Sequence, residues 1–233
     1  MRLIEKVWFN GHMAKWLLVP LLLPFSALFG VISYLRRLAY KFNLKPSIKP
    51  DLPVVVVGNI GVGGNGKTPL TLHLLSLCQQ MGLKAGVISR GYGGNAPFYP
   101  YLLDEQTISD YSGDEPLMIY QRTGVPVVVG ADRIKSTMVL KEQGCQLVIA
   151  DDGLQHYRLC RDSEIIVVDG KRVFGNGLLM PAGPLRELPA RLATGNLIIV
   201  NGGDKTSGNG VSEEQLNMQL SPTMYININT GEQ

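Results

Sequence analysis

Cysteine is scarce in this 233-residue chain. The three cysteines, Cys78, Cys145 and Cys160, are odd in number and widely spaced, and none belongs to a C-x-x-C pair or a Cys/His ligand pattern. A disulfide framework or a structural zinc site requires such pairs, so the sequence excludes both. Isolated cysteines of this kind are typical of reduced thiols, and they indicate a cytosolic catalytic part.

Acidic residues are nearly absent from the first fifty positions. Residues 1–50 contain eight Lys and Arg but a single acid, Glu5, whereas the remaining residues carry 14 basic and 18 acidic side chains. The net charge of +3 therefore conceals a basic N-terminal segment. A local excess of Lys and Arg suits an anionic membrane surface. No nucleic-acid partner is expected, and the pattern identifies no protein partner.

A run of twenty uncharged residues, 16–35, lies within this segment between Lys15 and Arg36. The run is long enough to cross the hydrocarbon core of a bilayer, and it is too long for a signal peptide and has no cleavage site. It predicts either a transmembrane helix, a helix in the membrane interface or a buried helix. We expect Pro20 and Pro24 to disrupt the early turns of a straight spanning helix. We favour membrane association, with spanning and interfacial placement both open.

Residues 51–233 alternate short aliphatic runs with helical patterns, so we divide the chain into an N-terminal membrane-associated segment with a basic linker (1–50) and a catalytic domain (51–233). Runs that are apolar throughout are typical of strands covered on both faces. The pattern predicts an α/β fold whose mainly parallel sheet is flanked by helices. The predicted strands are Val54–Val57, Ala85–Ser89, Val125–Val129, Leu147–Ala150, Ile165–Val168 and Leu197–Val200.

A glycine-rich loop follows the first predicted strand. It consists of Gly61, Val62, Gly63, Gly64, Asn65, Gly66, Lys67 and Thr68. This is the form of a P-loop, in which backbone N–H groups surround a polyphosphate, the lysine reaches the β- and γ-phosphates, and the hydroxyl ligates Mg²⁺. A turn with a coincidental Gly-Lys-Thr is the alternative. The loop predicts a P-loop NTPase-like domain that binds ATP and Mg²⁺.

Two acidic pairs accompany this loop. Asp151 and Asp152 end an aliphatic run, as in a Walker B element, where one carboxylate holds Mg²⁺ directly or through water; an acid at a strand end can also cap the next helix. Asp114 and Glu115 stand at a predicted helix start, where the helix dipole favours acids. From the same position Asp114 could accept a proton from a nucleophilic hydroxyl.

Together these segments resemble one family, the lipid A 4′-kinases (tetraacyldisaccharide 4′-kinases) of outer-membrane lipid biosynthesis. The resemblance covers almost the whole chain. The strings that carry it are Val54–Asn59 with Gly63–Pro69, Ser89–Gly94, Gly113–Pro116, Asp151–Arg158, and Phe174–Gly177 with Pro181–Glu187.

The resemblance implies transfer of the ATP γ-phosphate to the 4′-hydroxyl of a tetraacylated glucosamine disaccharide lipid. It places the enzyme at the cytoplasmic face of the bacterial inner membrane, with residues 16–35 as the membrane attachment. Gly61–Thr68 match the ATP-binding loop, and Asp114 matches the catalytic aspartate that acts beside Lys67. Asp151 and Asp152 match the family's Walker B acids, and with Thr68 of the P-loop they are the expected metal-binding residues.

The resemblance also implies a further C-terminal part beyond Gln233, including a histidine that works with the catalytic aspartate. His12, His73 and His156 do not match that position. The chain therefore resembles a truncated or partial copy of the family, in which ATP binding can survive without full activity, and an inactive kinase fragment is an alternative interpretation.

A second interpretation concerns residues 201–204, Asn-Gly-Gly-Asp, which follow the last predicted strand. Their Asn and Asp fit the frame of an N-K-x-D guanine-recognition loop that lacks its lysine. This would make the chain a membrane-attached nucleotide switch without a sugar-lipid substrate. The other reading of these residues is a polar turn.

Overall fold

The computed structural model describes residues 2–202 and 215–221. Its strands are β1 Val54–Gly58, β2 Ala85–Ser89, β3 Tyr101–Leu102, β4 Val127–Val129, β5 Leu147–Asp151, β6 Ser163–Asp169, β7 Leu197–Asn201 and β8 Gln215–Met218. Its α-helices are α1 Leu3–Phe9, α2 Lys15–Lys41, α3 Lys67–Gln80, α4 Ser109–Ser112, α5 Asp114–Thr123 and α6 Arg133–Glu142, and a 3₁₀-helix covers Pro189–Thr194.

The eight strands form one sheet in the order β3-β4-β2-β5-β1-β6-β7-β8. Neighbouring strands are parallel except for β3 and β4, which pair antiparallel. The predicted α/β fold with a mainly parallel sheet is confirmed. Because β1 lies between β5 and β6, the loops that follow the carboxyl ends of β1 and β5 are neighbours at one edge of the sheet.

Both faces of the sheet are covered, which explains why its strands are apolar without alternation. In β5, Val148 and Ala150 belong to one core cluster, whereas Ile149, between them, belongs to the cluster on the other face. These three side chains are at most 1% exposed. Side chains in a strand alternate between faces, so a strand with two buried faces needs an apolar residue at every position.

Several strands differ from their predicted bounds. β4 begins at Val127 rather than at Val125. Pro126 precedes it and has no N–H to donate to the ladder, although its carbonyl accepts from Val87 N at 2.9 Å. The short edge strands β3 and β8 were not predicted, because neither shows a buried apolar run; β8 is Gln-Leu-Asn-Met and half-buried or exposed throughout.

The expected disruption of the N-terminal helix by its two prolines is wrong. α2 runs unbroken for 27 residues through Pro20 and Pro24 and continues past Arg36 to Lys41. The prolines are four residues apart and both exposed, so their rings share the outer side of the helix. Each removes a single backbone hydrogen bond, and prolines are tolerated in this way in membrane helices.

The helix α2 is held against the domain at several points. The Ser26 hydroxyl is buried, donates to Leu179 O at 2.9 Å and accepts from Ala182 N at 2.8 Å. Further along, Arg37 Nη2 donates to Thr194 Oγ1 at 3.2 Å. Helix α1 is attached to the same loop of the domain, because Trp8 Nε1 donates to Pro181 O at 3.1 Å.

The opposite side of α2 is an exposed apolar surface. By length and composition, α2 could cross a membrane, with a mean hydropathy of 2.1 in its most apolar window, of which only 6% is buried. The large apolar side chains exposed on it include Trp16, Leu17, Leu21, Phe25, Leu28, Ile32 and Leu35. Contiguous exposed apolar surface of this kind marks a contact with lipid or with another protein.

Candidate functional site

A cleft of about 890 Å³ lies at the carboxyl ends of the central strands. It joins residues of the P-loop and both acidic pairs with residues of α2. Its lining is Phe29, Ser33, Arg36, Gly63, Lys67, Ser89, Arg90, Tyr92, Asp114, Glu115, Pro116, Ala131, Arg133, Asp151, Asp152, Gln155, His156, Tyr157, Met180, Arg186 and Glu187. The cleft therefore brings together the sequence-predicted residues Lys67, Asp114, Asp151 and Asp152.

The P-loop, residues 61–68, connects β1 to the first turn of α3. Gly66 precedes the helix with φ +91°, and Gly63 has φ +113°, so both adopt conformations that favour glycine. Val62 N donates to Pro184 O at 2.8 Å, which fixes the start of the loop. Thr68 is buried at 9% exposure in the first turn of α3, and Lys67 lines the cleft.

A residue from a distant strand supports the P-loop. Asn201, at the end of β7, donates from Nδ2 to Asn65 O at 3.2 Å. A methyl group on Gly66 would collide with the Asn201 amide and lie 3.1 Å from Met218 Cε. In the sequence, Asn201 was considered only as the Asn of a possible guanine-recognition loop. In the structure, its side-chain amide binds the backbone of the P-loop. The Gly203 and Asp204 of that frame lie outside the described residues.

Asp151 is the buried member of the strand-end acidic pair, with 1% exposure. Its Oδ1 has no hydrogen-bond partner within the described parts of the chain. Burial raises the pKa of Asp151 to about 6, in spite of the opposing charge of Lys67. The buried Arg133 lies behind it and donates to the Asp151 carbonyl at 3.1 Å and to Ile88 O at 2.8 Å.

Asp152 is the partner of two cations. It lies 3.6 Å from Lys67 Nζ, and Arg186 Nη1 contacts both of its carboxylate oxygens, at 3.1 and 3.2 Å. Burial acts to raise the pKa of this carboxyl, but Lys67 and Arg186 together outweigh it and lower the pKa below the usual range. The backbone of Asp152 is left-handed, with φ +48°, which turns its carboxylate back toward the P-loop lysine.

Asp114 begins α5 and lines the cleft with Glu115. The preceding Gly113 is the N-cap residue, with φ +81°, and no side chain caps this helix. The Asp114 carboxylate is exposed and makes no hydrogen bond or ion pair with the described part of the protein. Capping therefore does not explain this side chain, and its carboxylate is available to a ligand in the cleft.

The wall beside the acidic pair was not predicted. Glu187 accepts from Gln155 Nε2 at 2.8 Å and from the Tyr157 hydroxyl at 2.7 Å, so one carboxylate fixes two cleft side chains. His156 lies between them, and burial together with Arg133 lowers its pKa to about 4. Arg186 and Glu187 stood in the string Pro181–Glu187, one of those that carry the family resemblance, but nothing in their spacing indicated their partners.

A glycine-rich loop between a central strand and a helix, with carboxylates of the adjacent strand beside its lysine, is the arrangement of P-loop nucleotide-binding proteins. Fold and cleft define the chain as a P-loop NTPase-like protein with an N-terminal apolar helix at its site.

Comparison with known proteins specifies the family. A profile described as tetraacyldisaccharide-1-P 4′-kinase matches residues 18–233. A tetraacyldisaccharide 4′-kinase from Colwellia psychrerythraea is 60% identical over 232 residues, which are 100% of this chain and 68% of that protein. One from Vibrio cholerae is 51% identical over 230 residues, covering 99% and 67%.

Among solved structures, LpxK from Aquifex aeolicus in complex with ATP superposes with a TM-score of 0.72 and 27% identity, covering 84% of this chain and 62% of that one. The chain belongs to the tetraacyldisaccharide-1-P 4′-kinase family. Members of this family are lipid A biosynthesis kinases, that is, phosphotransferases with an alcohol acceptor. The chain spans about two thirds of the length of the relatives that it matches.

Replacing Gly66 by alanine tests the support of the P-loop by β7. We expect Gly66→Ala to lower the free energy of unfolding by about 1–3 kcal/mol, because alanine is strained at positive φ and its methyl group meets Asn201. Gly64→Ala is the matched control, since a methyl group there meets no heavy atom within 4 Å. Denaturant unfolding without nucleotide measures both variants. Equal stability of the two variants would contradict this view of the loop.

Neutralising one or the other of the two strand-end acids should change the stability of the protein in opposite directions. Asp151 has its pKa raised from 3.8 to about 6, so the folded state loses stability as the pH rises from 3.8 to about 6, and the loss is complete above that value. Asp151→Asn should therefore stabilise the nucleotide-free protein at pH 8, by on the order of 2–3 kcal/mol, with the gain disappearing below about pH 4.

The pKa of Asp152 is lowered, so its ionised form stabilises the folded state above its unfolded pKa, and that contribution is lost as the pH falls through the folded value. Asp152→Asn should accordingly destabilise the protein at pH 8 and still do so near pH 4, because the contribution is lost only below the ordinary value of 3.8. Melting temperatures of both variants between pH 4 and 8 measure the difference. A shift of the melting temperature in the same direction for both variants at pH 8 would refute the assignment of charge in this pair.

Proposed function

We propose that this chain binds ATP and Mg²⁺ in the cleft and transfers the γ-phosphate to the 4′-hydroxyl of a tetraacylated glucosamine disaccharide lipid. The observation that carries the proposal is the composition of the cleft. Lys67, the acidic residues Asp114 and Asp151, and the inner face of the apolar helix α2 all line one cavity. A kinase for a lipid needs these parts together: phosphate binding, a group for the acceptor hydroxyl, and contact with the bilayer.

The residues at the P-loop suit a triphosphate. The side chain of Lys67 is held at the cleft by its ion pair with Asp152 at 3.6 Å. Its ammonium group can replace this contact by contacts to phosphate oxygens. The positive-φ glycines leave backbone N–H groups free to contact the phosphates, and the N-terminus of α3 favours negative charge. The ATP bound to the related Aquifex aeolicus protein supports this assignment.

The acidic pair and Thr68 fit Mg²⁺. The Asp151 Oδ1 atom is buried and without a hydrogen-bond partner in the described structure, which is costly unless a ligand satisfies it. Carboxylate and hydroxyl oxygens are the donors that Mg²⁺ prefers, and phosphate sites hold it through one or two carboxylates. Thr68, Asp151 and Asp152 would hold the ion. When bound, Mg²⁺ neutralises negative charge on the phosphates.

We assign to Asp114 the role of orienting the acceptor hydroxyl of the substrate and accepting its proton. Phosphoryl transfer requires an oriented hydroxyl whose proton is taken up as the new bond forms. Asp114 is the cleft carboxylate at the start of α5, and it has no competing partner in the described part of the chain. Arg133 contributes indirectly, because its hydrogen bonds to the Asp151 and Ile88 carbonyls hold the ends of β5 and β2 at the cleft.

The contacts of α2 favour a helix that lies in the membrane interface rather than one that spans the bilayer. Ser26 and Arg37 both contact the domain, so the helix lies along it for at least three turns. The remaining residues, 15–25, are too few to cross a hydrocarbon core, which needs about 20. The exposed apolar side chains then enter the anionic leaflet at the cytoplasmic face, and the acyl chains of the substrate stay in the bilayer.

Replacing Asp114 by asparagine tests the proposed reaction. We expect Asp114→Asn to lower phosphoryl transfer by about 10²–10⁴, because a positioned general base contributes that much. ATP affinity and melting temperature should stay near wild-type values, since the P-loop and the acidic pair remain. The measurement is transfer from labelled ATP to the lipid under single-turnover conditions in neutral micelles.

The matched control is Asp110→Asn, an exposed acid of α4 that does not line the cleft. This variant should transfer phosphate at the wild-type rate. Unchanged turnover by Asp114→Asn together with a lowered melting temperature would assign Asp114 a structural role only.

A further inference from the structure

The inner face of α2 carries the residues Phe29, Ser33 and Arg36 into the cleft lining. Their spacings of four and three residues place them on one side of a helix. The side that faces away from the domain exposes Leu17, Leu28 and Leu35. One helix therefore presents apolar side chains outward and a polar end, Arg36, to the cavity that contains the catalytic residues.

Arg36 has no partner within the described structure: no carboxylate lies within ion-pair distance and no hydrogen bond is formed by its guanidinium. Other cations of the cleft are occupied, since Arg186 binds Asp152 and Arg133 binds backbone carbonyls. The neighbouring Arg37 is occupied as well, through Thr194, and does not line the cleft. The positive charge of Arg36 is thus available to a ligand.

The carboxylates near this wall are already used. Glu187 accepts from Gln155 and Tyr157, and Arg191 lies 3.3 Å from it. The pKa of the His156 imidazole is lowered mainly by burial and by two other arginines, and the charge of Arg36 lowers it further. The α2 side of the cleft therefore has an excess of positive charge, and an anionic group would be stabilised there.

We propose that Arg36 binds the phosphate that the lipid disaccharide carries at its 1-position, and that it thereby selects the phosphorylated lipid as substrate. The inference rests on the proposed function. The family description names a 1-phosphate substrate, and a guanidinium binds phosphate oxygens through paired, charge-assisted hydrogen bonds. With the phosphate held against α2 and the acyl chains along its outer face, the sugar extends into the cleft.

The test compares two lipids that differ in a single group: the tetraacyl disaccharide with its 1-phosphate, and the same lipid without it. Each is presented to the chain in micelles of a neutral detergent, and the dissociation constant is measured. Arg36→Ala should weaken binding of the phosphorylated lipid about 10- to 100-fold, the range expected for one charge-assisted pair, and change binding of the other lipid less than about twofold. Arg36→Lys should recover part of the loss.

Arg37→Ala is the matched control, since it removes the same charge from the next position of the same helix. It should leave the preference for the phosphorylated lipid unchanged. The Arg36 variants should melt at the wild-type temperature, because the guanidinium of Arg36 has no hydrogen bond or ion pair to lose within the described structure, whereas Arg37→Ala loses the hydrogen bond to Thr194.

Three results would overturn the proposal. One is an equal loss of affinity for both lipids in Arg36→Ala. Another is an unchanged preference for the phosphorylated lipid combined with weaker binding to phosphatidylglycerol vesicles, which would assign Arg36 to the phosphates of the bilayer. The third is an equally reduced preference in Arg37→Ala. If the wild-type chain binds neither lipid, the proposed function itself is refuted. If the wild-type chain binds both lipids equally well, only the proposal for Arg36 is refuted.

Discussion

The carboxylate of Asp152 joins three parts of this molecule. It directly follows the end of β5, lies 3.6 Å from Lys67 at the start of α3, and is bound by Arg186 from the loop before the 3₁₀-helix. At 36% side-chain exposure, each of these ion pairs is partly screened and contributes little stability alone. Their importance is geometric, because together they keep the P-loop lysine beside the acidic strand end before a nucleotide binds.

A second constraint comes from α2, which serves as a wall of the cleft and as an apolar surface. These roles are compatible because different sides of the helix perform them. Ser26, with two hydrogen bonds to the loop around Leu179 and Ala182, fixes which side faces the domain. That orientation then determines that Arg36, ten residues later, lines the cavity, while the outward leucines remain available to lipid. The exposed apolar surface and the wall of the cleft therefore depend on the same rotation of one helix.

The sequence predicted those features that follow from local pattern. Strands buried on both faces appear as unbroken aliphatic runs, and the loop of residues 61–68 requires glycines whose spacing is visible without a structure. Features set by long-range contacts were not predictable. Arg133 is buried because two backbone carbonyls from different strands converge on it, and Asn201 supports a loop 136 residues earlier in the chain. The continuity of α2 was mispredicted because proline's local cost was weighed without the docking contacts of Ser26 and Arg37.

Titration of the chain with ATP in the presence of Mg²⁺ tests most directly whether the cleft is a nucleotide site centred on Lys67. The wild-type chain should bind ATP, and Lys67→Ala should bind at least about tenfold more weakly while melting at a similar temperature, because the substitution removes phosphate contacts and no core volume. Lys135→Ala, an exposed lysine on α6 outside the cleft, should bind like the wild type. A folded Lys67→Ala protein with undiminished ATP affinity would contradict the account.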